Sequence, residues 1–115
     1  MSFDLAFWEQ GATEMDNDTA LQTYYRFAEG ARGVAPSSIS VGEFADAMLR
    51  IYPEMSDESP WAAGCYITPE CIIVNISWSR AKEVEEVLVK LARWYGLVAF
   101  DPQSGSVNRQ VEGSE

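Results

Sequence analysis

The run Cys71-Ile72-Ile73-Val74-Asn75-Ile76 is apolar almost throughout, where a half-solvated strand would alternate, and it follows the short break Thr68-Pro69-Glu70. A strand of that kind is covered on both faces, so it belongs in the middle of a sheet. The apolar run on the other side of the break, Trp61 to Ile67, must be its antiparallel neighbour, because so short a connection cannot carry a crossover. Pro69 falls in the turn, where its missing donor does no harm. Whatever else the chain does, it folds around this hairpin.

The remaining elements are read outward from it. Phe3, Leu5 and Phe7 alternate with Asp4 and Ala6 ahead of Trp8, the period-2 pattern of a first strand. Asp16, Asn17 and Asp18 offer N-caps for a helix over about Thr19 to Ala31, with Leu21, Tyr24, Tyr25 and Ala28 on one stripe and Gly30 or Gly33 to end it. Ser40-Val41-Gly42-Glu43 has the spacing of a capping box, which starts a second helix. Phe44, Met48, Ile51 and Tyr52 recur along that helix until Pro53 withdraws an amide. Ser79 caps the longest helix, about Arg80 to Tyr95, whose stripe is Val84, Val87, Leu88, Leu91, Trp94 and Tyr95. Gly96 ends it, and Leu97 to Phe100 form a last strand stopped by Asp101-Pro102.

The order strand, two helices, hairpin, helix, strand predicts one α+β domain over residues 1–102. Its sheet is expected to be four-stranded, antiparallel or mixed, with helices on one face, in a ferredoxin-like β-α-α-β-β-α-β arrangement of strand order 4-1-3-2. The other face of such a sheet is open to a partner. Residues 103–115 are polar and read as a tail, at best an edge ribbon around Val107.

Composition narrows the function classes. The chain has 115 residues, 47% of them hydrophobic, with 18 acidic and 8 basic side chains, a formal charge of -10 and no histidine. That surface repels nucleic acid and anionic membranes and is attracted to cationic ones. The absence of histidine removes Ser-His-Asp and Cys-His relays and imidazole metal ligands. No targeting segment and no run of roughly 20 apolar residues is seen, so a cytoplasmic location is expected. Cys65 and Cys71 do not make a zinc site or a secreted disulfide framework; they read as two reduced thiols, with a hairpin disulfide as the alternative.

Nor do the other chemical motifs complete themselves. Gly30-Ala31-Arg32-Gly33 lacks the Lys-Ser/Thr of a phosphate loop. Asp16-Asn17-Asp18 opens like a calcium loop, but Leu21 stands where the glycine should be and Phe27 where the closing glutamate should be. A nucleophilic thiol needs a lowered pKa, whereas burial within an apolar hairpin raises it. No catalytic residue, metal or cofactor is expected, and the chain is read as a binding protein rather than an enzyme.

Charge placement and aromatics then supply the candidate residues. Residues 1–60 carry eleven acids and three arginines, whereas residues 61–115 carry seven acids and five bases. The densest acidic stretches are Glu9, Glu14, Asp16 and Asp18 in one loop and Glu54, Asp57 and Glu58 in another. Solubility alone explains such loops; so does a docking face for a basic protein. Trp8, Trp61 and Trp78 stand at element ends, where tryptophan serves as interface anchor or as packing, while Trp94 on the long stripe reads as core.

Four stretches carry a resemblance: Met1-Ser2-Phe3-Asp4-Leu5-Ala6-Phe7-Trp8, Ser59-Pro60-Trp61, Trp78-Ser79-Arg80-Ala81 and Gly96-Leu97-Val98-Ala99-Phe100-Asp101-Pro102-Gln103. Together the chain resembles small acidic bacterial immunity proteins of polymorphic toxin systems, delivered by contact-dependent or type VI secretion machinery. The resemblance implies stoichiometric inhibition of a cognate toxin domain by protein-protein contact, and the acidic charge suits a basic toxin such as a nuclease. The acid loops would steer association, and Trp8 and Trp61 would supply desolvated anchors. The rival reading is a housekeeping module that holds a small ligand or a second copy of the chain on its open sheet face.

Overall fold

The computed structural model describes residues 2–11 and 15–108. Its elements are β1 (Ser2–Glu9), α1 (Asn17–Ala28), α2 (Ile39–Ile51), β2 (Tyr66–Ile67), β3 (Cys71–Ser77), a 3-10 turn (Trp78–Arg80), α3 (Ala81–Trp94), β4 (Leu97–Asp101) and β5 (Ser106–Asn108). The protein is α+β, and its strands form one five-stranded sheet in the order β2-β3-β1-β4-β5 with every pairing antiparallel.

The sheet differs from expectation in having a fifth strand and helices on both faces. Phe3, Leu5 and Phe7 of β1, with Ile72, Val74 and Ile76 of β3, face α2 and α3, where Phe44, Met48, Val84 and Leu88 meet them. The alternate residues, Ala6 and Trp8 with Cys71, Ile73, Val98 and Phe100, face α1 and its Ala20 and Phe27. Successive side chains on a strand point to opposite faces, so a strand apolar at consecutive positions needs cover on both. Leu5-Ala6-Phe7-Trp8 and Leu97-Val98-Ala99-Phe100 are fully buried for that reason. The expected open face is the one α1 covers.

The chain must therefore pass from one face to the other between α1 and α2, and Glu70 fastens that passage. In the β2–β3 turn its carboxylate accepts backbone N–H bonds from Gly33 (2.9 Å), Val34 (3.0 Å) and Ala35 (3.4 Å), and the Arg32 Nε–H at 3.1 Å. The Ser38 amide donates to the Pro69 carbonyl at 3.0 Å and closes the same seam. The amide of Gly33, then Arg32 and the amides of Ala35 and Val34, favour the ionised form and outweigh the cost of burial, holding the Glu70 carboxyl at about 2. Gly33 itself takes φ +76, so a glycine fits this turn.

The helix ends follow their sequence signals only in part. Asp16 caps α1, accepting the Thr19 amide at 2.7 Å, and Gly30 (φ +88) and Gly96 (φ +74) follow α1 and α3 as expected. The cap of α2 is Ser38, not Ser40; its Oγ accepts the Ser40 amide at 3.1 Å. Before α3, Ser79 lies within the 3-10 turn, and Arg80 holds the cap position without a side-chain bond. β2 is far shorter than Trp61 to Ile67: Trp61 bridges Ile76 and Tyr66 pairs with Ile73, so five steps on one side face three on the other. The two surplus residues form a bulge around exposed Ala62, Ala63 and Gly64.

Register also separates the cysteines. Ile67 opposite Ile72 and Tyr66 opposite Ile73 put Cys65 and Cys71 on opposite faces, each packed in a different core, and both are free. No disulfide can join them without rebuilding the hairpin. Residues 106–108 join the sheet as β5, so the segment read as a tail contributes its edge strand.

Candidate docking surface

Between α2 and the β2 bulge, residues 52–61 form a loop pinned at several points. The indole Nε1 of half-buried Trp61 donates to the Tyr52 carbonyl at 2.9 Å, with the two rings edge to face at 6.0 Å. Glu54 Oε2 accepts the Cys65 amide at 2.7 Å, inside the bulge. The Ser77 amide donates to Pro60 at 2.8 Å, and Arg80 Nη1 donates to the Glu58 carbonyl at 2.9 Å. Arg80 is itself held by a two-pronged pair with Glu83, at 3.1 and 3.0 Å, which raises its pKa and lowers that of Glu83. Backbone so anchored presents its remaining side chains in a fixed arrangement.

Those side chains are acidic and apolar together. Met55 is 96% exposed and Trp78, edge-on to Phe3 at 5.4 Å, is 49% exposed. Asp57 and Glu58 are exposed, and the two ion pairs found among the described residues, Arg32–Glu70 and Arg80–Glu83, include neither of them. Large apolar groups rimmed by charge are what a protein-binding surface offers. Met55 carries no spacing signal that sequence could have flagged.

The other candidates fall elsewhere. Trp8 is 0% exposed, between Phe27 (5.6 Å) and Phe100 (6.0 Å), and cannot anchor a partner. Burial also leaves its Nε1 without a hydrogen-bond partner among the described residues. Glu9 pairs with Leu97 at one end of β1, while Pro60–Trp61 lies beside Ile76 and Ser77 at the other. Eight strand residues place those ends about 23 Å apart. Asp16 is engaged as the α1 cap, Asp18 is exposed in the first turn, and Asn17 accepts the Val107 amide, which sets this helix start beside β5. Glu14 lies outside the described residues. The two acid loops thus do not merge into one front.

Trp94, expected in the core, is 82% exposed. The α3 stripe is satisfied by Ala81, Val84, Leu88 and Ala92, with Leu91 and Tyr95 at its margin, and Trp94 falls outside that arc.

Nothing in the thiols is tuned for chemistry. Burial first, then the Glu54 carboxylate, pushes Cys65 up to about 12, and burial raises Cys71. Among the described residues, no three acidic or thiol side chains form a group that could hold a metal ion, and no helix is long and apolar enough to cross a membrane. No family model, curated protein or solved structure matches the chain.

Proposed function

We propose that this protein works by docking a basic partner through its 52–61 loop and Trp78, and that the partner is a secreted toxin domain that it neutralises in stoichiometric complex. The observation that carries the reading is the pinned loop, which leaves Met55, Asp57 and Glu58 exposed and is tied through Pro60 to Ser77, next to half-exposed Trp78. Exposed acids favour encounter with a cation-rich face, and exposed Trp and Met supply the area that slows dissociation. The toxin assignment rests further on the resemblance to immunity proteins. We read β1–β4 with α2 and α3 as a ferredoxin-like frame to which α1 and β5 are added. The reading assigns the chain no bond-making step and a cytoplasmic place of action.

Co-expression tests it. A toxin domain encoded next to this gene should be lethal alone and harmless with the wild-type chain. Rescue should fail for D57K/E58K and persist for E43K/D46K, which makes the same charge change on the exposed side of α2. Equal rescue by both variants, or none by wild type, overturns the proposal.

A further inference from the structure

On the opposite face, at the end of α1, Ala28, Glu29 and Gly30 meet Tyr66 and Ile73 around a notch of about 310 Å³. That is the lower limit of the roughly 300–1,000 Å³ of small-ligand pockets, room for one long side chain rather than a helix or strand. Its walls are the aliphatic Ile73 and Ala28 and the ring of Tyr66, the last 40% exposed at the sheet edge. Its polar contributions share one sign. The exposed Glu29 carboxylate belongs to neither ion pair of the described residues, and the C-terminus of α1 adds the negative end of a twelve-residue helix. Arg32, the basic side chain that follows, is turned to Glu70.

We infer that this notch receives an arginine side chain of a protein partner, its stem against Ile73 and Ala28, its guanidinium between the Tyr66 ring and the Glu29 carboxylate. A planar cation gains from both an aromatic face and a carboxylate, while an anion would face the Glu29 carboxylate and the negative helix end, with only Arg26 one turn back to offset them. A neutral side chain of the same length would keep the walls and a hydrogen bond to Glu29 but lose the ionic attraction and the cation–π contact. The site lies apart from the 52–61 loop, so its failure leaves the docking proposal standing, and failure of that proposal does not touch this one.

The test is an amide-resolved NMR titration of the full chain with N-acetyl-arginine amide, beside the neutral isostere N-acetyl-citrulline amide. Arginine should shift the amides of Glu29, Gly30, Tyr66 and Ile73 with millimolar affinity, and citrulline should do so far more weakly. E29Q, at an exposed position that does not threaten folding, should weaken the arginine response about 2- to 5-fold, the scale of a solvent-exposed ion pair. Tyr66→Leu, which keeps an apolar edge residue, should weaken it similarly. Equal shifts from citrulline, shifts confined to other acidic regions, or an undiminished response in E29Q each overturn the inference.

Discussion

Replacing Trp8 separates a core residue from a surface anchor. Its ring is wholly buried between Phe27 of α1 and Phe100 of β4, so W8A removes the largest side chain from the α1-facing core. Truncating a buried Trp or Phe costs about 3–5 kcal/mol. The indole N–H already lacks a partner among the described residues, a cost to the folded state that disappears with the ring, which puts W8A near the lower end, about 3 kcal/mol. With a urea slope of about 2 kcal/mol/M, the unfolding midpoint should fall by about 1.5 M at unchanged slope. W8F keeps the ring contacts and deletes the orphaned donor, so loss of packing and relief of desolvation nearly cancel, leaving stability within about 1 kcal/mol of wild type. Circular dichroism through a urea series reads both. Because Trp8 and Phe27 touch, W8A and F27A should also fall short of additivity by about 0.5–3 kcal/mol. A W8A cost below about 1 kcal/mol would refute the packing of α1 on the sheet.

Glu70 gives a pH dependence of defined sign. Its folded pKa, about 2, lies below the ordinary 4.5, so its contribution to stability is complete above about pH 4.5 and is lost as pH falls toward 2. E70Q should be less stable than wild type at pH 7, and urea midpoints should converge as pH drops through that window; a constant gap would mean that the carboxylate charge is not what holds residues 32–35. Cys65, raised from 9.0 to about 12, should react with a maleimide or Ellman's reagent up to about a thousandfold more slowly than a free thiol at pH 8, and mild oxidation should leave both thiols countable after unfolding. Rapid labelling of the folded chain, or an intramolecular disulfide, would contradict the register of the hairpin.

The periodicities made the elements legible; the layers needed more. Every helix and the three interior strands announced themselves through apolar spacing, and the interior place of β3 followed from its continuous apolar run. The same logic applied to Leu5-Ala6-Phe7-Trp8 would have demanded a second cover, and the α1 stripe was available to provide it. Glu70 was illegible because four donors from residues 32–35 reach it across the chain, a tertiary fact without local signature. Trp94 misled because a stripe read from spacing alone came out wider than the arc that α3 buries. Of the candidate site, the acids 54, 57 and 58 with Trp61 and Trp78 were readable as loop composition, and the structure gathers them at one end of the sheet. Glu9 and Asp18 looked equivalent in sequence, because a linear count cannot see which end of a strand a loop leaves from.

The direct test of docking through the 52–61 loop is the association rate with the neighbouring toxin domain, measured by stopped flow from low to high salt. D57K/E58K should slow association by about 10-fold or more at low salt and flatten its salt dependence, whereas E9K/D18K, with the same change in net charge at other parts of the surface, should do far less. Equal slowing by both pairs would reduce the acidic loop to bulk charge, and unchanged rates in D57K/E58K would contradict the proposed surface outright.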